Sequence, residues 1–238
     1  MSPPPKRPKT VNRLQQLITE WERESGQPVR RLNLRVASMM LAGALRRAVD
    51  DDGAVVFVTR GGVAMELRAG EKARVTGDVD LVLRGDPESL LAHLDASLSD
   101  GYEDFSFERN EPQPLELRPH VRRIRVKVAF RTKPFMTLVV EVAPVEAGGD
   151  EIEEIAAHDL STVGLDGPDI IPVLAVRWQI AQKLHAVTEP PLRPPHITTY
   201  PDWSDRYTAM ATSLGMPITD LNEAVEITHA LIHAIDTS

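Results

Sequence analysis

The stretch from Val55 to Leu83 constrains the fold more than any other part of the chain. It reads Val55-Val56-Phe57-Val58-Thr59-Arg60-Gly61-Gly62, a spacer, then Arg74-Val75-Thr76-Gly77-Asp78-Val79-Asp80-Leu81-Val82-Leu83. The β-branched and aromatic run Val55–Val58 suits a buried strand. Gly61 and Gly62 lack a Cβ, so the chain there can take positive φ and admit a phosphate close to its main chain. A short helix over Val63–Leu67 would aim its N–H groups and positive dipole end at that anion. Asp78 and Asp80 are two apart and share one face of a second strand. Val79, Leu81 and Leu83 turn the other way, into a core. Paired hard oxygen ligands suit Mg²⁺, which also draws ligands from substrate phosphates. A glycine turn, a spacer and an Asp-x-Asp strand supply the parts for metal-assisted phosphoryl or nucleotidyl transfer. Each part alone has an ordinary structural explanation: a turn, and a solvated strand face.

Charge and composition narrow the surroundings of this unit. The chain has 238 residues and a net charge of −8, which argues against a nonspecific nucleic-acid coat but not against a local basic site. With no cysteine, disulfides, zinc–thiolate sites and cysteine nucleophiles are excluded. No apolar run reaches the length of a membrane span and the N-terminus has no apolar signal core, so a cytoplasmic protein with no membrane partner is expected.

Residues 1–10 are rich in proline and lysine and predict a disordered basic tail. Leu14, Leu17, Ile18 and Trp21 make the stripe of a first helix beginning at Asn12, and a second helix is expected from about Leu34 to Val49. Asp86-Pro87-Glu88 starts a third, with Leu90, Leu91, Leu94 and Leu98 on its apolar side. Val121–Phe130 and Thr137–Val142 alternate as strands, joined by a hairpin over Arg131–Pro134. Ala143 to Gly167 reads as an acidic loop.

On the first of these two strands, Ile124, Val126, Val128 and Phe130 face one way, and Arg123, Arg125 and Lys127 the other. With Arg118, Arg122, Arg131 and Lys133 they form a dense basic patch in an acidic protein. Such a patch holds RNA backbone or triphosphate, or protects an edge strand by charge. Glu141 is either a third carboxylate for the metal pair or the salt partner of an arginine.

Helices are expected over Val173–Val187, from Asp202 to about Ser213, and over Thr219–Ile235. Lys183 borders the apolar face of the first, where a lysine ordinarily snorkels to solvent. Asp202 and Asp205 have the spacing of a helix cap and its N3 residue. His229 and His233 lack a third zinc ligand, and no Walker-type, Gly-x-Ser-x-Gly or dinucleotide fingerprint occurs.

Taken together, Thr59-Arg60-Gly61-Gly62-Val63-Ala64, Arg74-x-Thr76-x-Asp78-x-Asp80-Leu81, Gln182-Lys183-Leu184-His185-Ala186 and Asp202-x-x-Asp205 resemble the AbiEii/AbiGii family of nucleotidyltransferase-like toxins, mycobacterial toxins included. The resemblance runs from about Leu34 to Met210. It implies an α+β fold, a nucleotidyltransferase-like mixed sheet flanked by helices, with a C-terminal helical portion. The expected division is a tail over 1–10, a nucleotidyltransferase core over 11–167 and the helical portion over 168–238.

The resemblance implies that Asp78 and Asp80 bind Mg²⁺ or Mn²⁺, with Glu141 as a further candidate ligand. It makes Asp80, Lys183 and Asp205 catalytic, and has Gly61, Gly62, Thr76 and Lys183 meet a nucleoside triphosphate. Arg60 stands where the family often has lysine, which keeps the charge and changes the geometry. Pro201 stands where the family carries a basic residue, so the late acid falls to Asp202 or Asp205; Asp205 is taken here. The implied activity is transfer of a nucleoside monophosphate to the 3′ end of tRNA, blocking translation, with a cognate antitoxin as partner. Arg122, Arg123, Arg125 and Lys127 are the candidate RNA contacts. Two other readings fit the same residues: a catalytically silent module that binds nucleotide, RNA or antitoxin, and a transferase with a protein or small-molecule acceptor.

Overall fold

The computed structural model describes residues 5–70, 73, 76–116, 118–145, 151–188, 203–213 and 216–236. Within its helices the side chains of 183–188, 206, 210, 213, 231, 232 and 234–236 lie outside the description. The chain divides into two units, Met1–Ala175 and Val176–Ser238. In the first, α1 (Val11–Ser25) and α2 (Val29–Leu45) precede β1 (Phe57–Arg60), α3 (Gly61–Ala69), β2 (Asp78–Leu83) and α4 (Leu90–Ser99). Then come β3 (Phe105–Arg109), β4 (Gln113–Leu115), β5 (Arg118–Phe130), β6 (Lys133–Pro144), β7 (Ile152–Ala156) and β8 (Ile170–Leu174).

All eight strands form one mixed sheet in the order β3-β5-β6-β2-β1-β8-β7, with β4 also paired to β5. β2 is antiparallel to β1 and parallel to β6. The period-two alternation of β2 buries Val79, Leu81 and Leu83 on one side. There they join Leu14, Leu17 and Ile18 of α1, Leu32, Val36, Met39 and Met40 of α2, and Ile124, Val126, Leu138 and Val140 of β5 and β6 in one core. The opposite side of the same strands carries the polar residues.

The second unit consists of α5 (Val176–Thr188), α6 (Trp203–Ser213) and α7 (Leu221–Asp236). The Tyr207 hydroxyl donates to the Ile218 carbonyl at 3.1 Å, and Asp220 caps α7 by accepting from the Glu223 N–H at 3.0 Å. Among the described residues no helix is long and apolar enough to cross a membrane.

Several boundaries differ from the sequence expectation, each for a physical reason. The division falls at 175/176 rather than 167/168 because Ile170–Leu174 is a strand of the sheet. The acidic segment Ile152-Glu153-Glu154-Ile155 is that sheet's outer strand, not loop, and acids there blunt the edge against further pairing. The expected tail is pinned where it is described: Arg7 pairs with Glu103 at 2.6 Å and Asp104 at 2.8 Å, and Pro8 is buried. α2 starts at Val29 rather than Leu34, because Arg31 and Arg35 turn inward. The hairpin between β5 and β6 is tighter than expected. Its two turn residues, Arg131 and Thr132, both hold positive φ, +47° and +69°.

Candidate active site

β1 ends at Arg60, and the chain turns at Gly61, with φ +63°, directly into α3. A left-handed φ at the first residue of a helix calls for glycine. A second constraint comes from across the sheet. A Cβ on Gly61 would lie 2.7 Å from Cγ of Asp80 and 2.9 Å from its Cβ. One on Gly62 would overlap the Thr76 side chain and stand 3.1 Å from its Cγ2. Thus Asp80 and Thr76 occupy the space that the two glycines vacate. The Thr76 hydroxyl donates to the Asp78 carbonyl at 3.1 Å, which fixes the entry to β2.

Asp78 and Asp80 are both half-buried on the polar face of β2, about 6.7 Å apart along the strand. Register places Arg60 beside Asp80 on β1, Glu141 beside it on β6, and Arg123 beside Glu141 on β5. A row of charges thus crosses four strands. Glu141 is buried and would repel its neighbour Asp80 if it stood alone. Arg123 donates to its Oε1 through Nε at 3.1 Å and Nη2 at 2.6 Å, and Arg118 approaches its Oε2 at 3.5 Å. That hydrogen bond, then the Glu141 charge, raises the pKa of the Arg123 guanidinium further. Of the two readings of Glu141, salt partner is the contact observed.

The sequence grouped four cations as RNA contacts, and the structure separates them. Arg123, Arg125 and Lys127 stand exposed on the face that carries Asp78 and Asp80. Arg122 pairs with Val142 in the register and so points to the opposite face, where its guanidinium donates to the Pro119 carbonyl. It leaves the group for that reason.

Two arginines that the sequence reading missed hold the walls of this site. Glu66 of α3 accepts from Arg35 Nη2 at 2.6 Å, Arg35 Nε at 3.1 Å and Arg31 Nε at 3.3 Å. All three side chains are buried. Arg31 Nη2 also donates to the Ala73 carbonyl at 3.1 Å, in the segment leading to Thr76. α2 thereby fixes both α3 and the approach to β2. The available signal was a pair of arginines four apart at the start of a helix that runs on through the apolar stretch Met39–Leu45. Beside this cluster His158 is held below its ordinary pKa, by burial first and then by the charge of Arg35. Its Nε2 is buried with no hydrogen-bond partner among the described residues.

Lys183 lies on α5 with its side chain outside the described residues, and Asp205 is exposed in the first turn of α6. Both belong to the second unit. Asp202, Arg74 and Val75 lie outside the described residues. Among the described residues no group of three or more histidine or acidic side chains is arranged to hold a metal ion. Asp78 and Asp80 are the two carboxylates that β2 sets on one face of the first unit. This fits Mg²⁺, which takes one or two protein carboxylates and completes its shell with water and substrate phosphate.

No curated protein sequence matches the chain. Among solved structures it is similar to MenT4, a nucleotidyltransferase toxin of Mycobacterium tuberculosis H37Rv. That pair is 20% identical with a TM-score of 0.53, over 76% of this chain and 60% of MenT4. This likeness is one of fold, and the chain spans 60% of MenT4's length. More distant are JHP933 of Helicobacter pylori, 16% identical with a TM-score of 0.41 over 76% of this chain and 72% of that one, and ANT(2″)-Ia. The latter, solved with adenylyl-2″-tobramycin, is 17% identical with a TM-score of 0.41 over 84% of this chain and 97% of that one. The family described as nucleotidyl transferase AbiEii toxin, type IV TA system, matches residues 43–227, a stretch that holds the glycine turn, β2 and the helices bearing Lys183 and Asp205. Matched over most of its length, the chain belongs to the AbiEii nucleotidyltransferase toxins of type IV toxin–antitoxin systems.

Proposed function

We propose that this nucleotidyltransferase transfers a nucleoside monophosphate from a nucleoside triphosphate to the 3′ end of tRNA, with Asp78 and Asp80 holding a divalent metal. The observation that carries the reading is the closure of Asp80 onto Gly61 at the start of α3. It brings a carboxylate, of the kind a divalent metal takes, and a helix N-terminus, which favours phosphate, to one point.

The triphosphate lies against the main chain of Gly61 and Gly62, whose N–H groups and helix dipole orient it. Asp78 and Asp80 would hold Mg²⁺ or Mn²⁺. When bound, the metal neutralises phosphate charge and aligns the leaving group. The acceptor 3′ hydroxyl forms a bond to the α-phosphorus and loses its proton to a carboxylate or water. The bond from the α-phosphorus to the bridging oxygen breaks, and pyrophosphate departs. The motif resemblance in the sequence supports a reading in which Lys183 would meet the triphosphate and Asp205 would act as the late catalytic acid. Blocking the tRNA end stops translation, which gives a toxin its effect, and a cognate antitoxin opposes it. Family membership supports the toxin role and the antitoxin partner.

The test is incubation of the protein with Mg²⁺, each α-labelled nucleoside triphosphate in turn, and total tRNA, resolved on a denaturing gel. Label on tRNA that disappears with Asp80→Asn is expected. Transfer retained by folded Asp80→Asn would overturn the assignment. Label on protein or on a small acceptor would replace tRNA as the target.

A further inference from the structure

We infer that the outward row of β5, Arg123, Arg125 and Lys127, is the track on which the phosphate backbone of the acceptor RNA lies. This deepens the nucleotidyl-transfer reading above and rests on it. Charge on β5 would be unremarkable if the strand were an edge protected against further pairing. It is not an edge: β5 is flanked by β6 on one side and by β3 and β4 on the other. Protection of an open strand edge therefore does not account for these three cations.

Their placement points to a ligand shared with the site. Alternate residues of a strand stand about 6.7 Å apart, so the three stems form a straight row. Arg123 lies in the register row of Asp80, and Arg125 in that of Asp78. Each is two strands from its aspartate, about 10 Å across the sheet. A polyanion lying on the row passes beside the carboxylate pair.

The row is also built to present charge. Glu141, with its side chain 9% exposed, orients Arg123 and Arg118, while those two side chains remain 48% and 51% exposed. A guanidinium has five N–H donors, so donors remain for phosphate oxygens. The Lys127 pair with Glu108 is solvent-exposed on both sides and gives way at little cost. Arg125 has no acidic partner among the described residues. In a protein with net charge −8, such local cations decide where a polyanion settles.

The test is anisotropy of end-labelled tRNA titrated with the full chain, without metal or nucleotide, between 50 and 200 mM salt. Arg125→Gln removes one phosphate contact, so its slope of log affinity against log salt is shallower by about 0.7–0.9. The gap between wild type and variant then narrows about threefold across that range. Lys127→Gln behaves alike, and Arg122→Gln, on the other face, leaves the slope unchanged. Equal slopes for Arg125→Gln and Arg122→Gln, or no binding of tRNA, overturn the inference. So does displacement by polyglutamate as effective as by polyuridylate, which assigns the row to an acidic protein. Because binding is read without metal or nucleotide, failure of the track is told apart from failure of transfer.

Discussion

Replacing Gly61 by alanine tests the contact on which the site is built. Two penalties follow from the geometry. First, alanine must hold φ +63°, which costs an L-residue roughly 1–2 kcal/mol. Second, the new methyl meets Asp80. Carbon atoms rest at about 3.5 Å or more, and the approach to Asp80 Cγ is 2.7 Å, so the carboxyl group must retreat by about 0.8 Å. Rotating the carboxylate is not enough, because Asp80 Cβ itself lies at 2.9 Å. A misplacement near 1 Å in a catalytic constellation costs about 100-fold in rate. Gly61→Ala should therefore lose roughly two orders of magnitude in kcat for nucleotidyl transfer. Its urea stability should fall by about 2–5 kcal/mol, the φ penalty together with the cost of overpacking against Asp80. Gly53→Ala is the control: φ there is +80°, with no other atom within 4 Å of the added Cβ. It should lose about 1–2 kcal/mol, the φ penalty alone, and no activity. Gly61→Ala with kcat within threefold of wild type would refute the reasoning, whatever its stability.

Three further outcomes follow. Glu66→Leu leaves two buried guanidiniums without their carboxylate and should cost about 3–5 kcal/mol in urea unfolding; a loss under 1 kcal/mol contradicts the buried cluster. Thr132→Gly relieves a β-branched residue at φ +69° while keeping the Arg131–Asp104 pair, and should raise stability by about 1 kcal/mol; an unchanged urea midpoint speaks against strain in that turn. His158 has its pKa lowered in the folded state, so the unfolded chain takes up a proton first as pH falls below about 6.5. Its contribution is fully present above that pH and is lost on the acid side. His158→Gln should lose less stability than wild type between pH 7.5 and 5, and parallel profiles would contradict the burial of the ring.

The sequence made the central unit legible because its signals are local. Period-two alternation in Asp78–Leu83 assigns both carboxylates to one face, and the structure keeps them there. What escaped reading depends on partners distant in the chain. Arg31 and Arg35 carry no local sign of burial, which appears only when Glu66 is brought against them. Ile152–Ala156 looks like an acidic loop because its apolar residues do not alternate with a period of two, and only its pairing with Ile170–Leu174 makes it a strand. The helix expected from Val173 begins at Val176, because Val173 and Leu174 belong to β8, whose pairing with β1 is confined to Thr59 and Val173. Glu141 had two equal readings in the sequence, because its neighbours Arg123 and Asp80 come from different strands. The need for glycine at 61 was visible as turn chemistry, but the presence of Asp80 in the vacated space was not.

The most direct test of the central claim runs one reaction twice, with nucleoside triphosphate labelled at the α-phosphorus and then at the γ-phosphorus, using tRNA and Mg²⁺. Nucleotidyl transfer at the Asp78–Asp80 pair predicts α-label on the RNA, γ-label released as pyrophosphate, and neither event with Asp80→Asn. Label from the γ-phosphorus on the RNA, or α-label transferred equally well by Asp80→Asn, would contradict it.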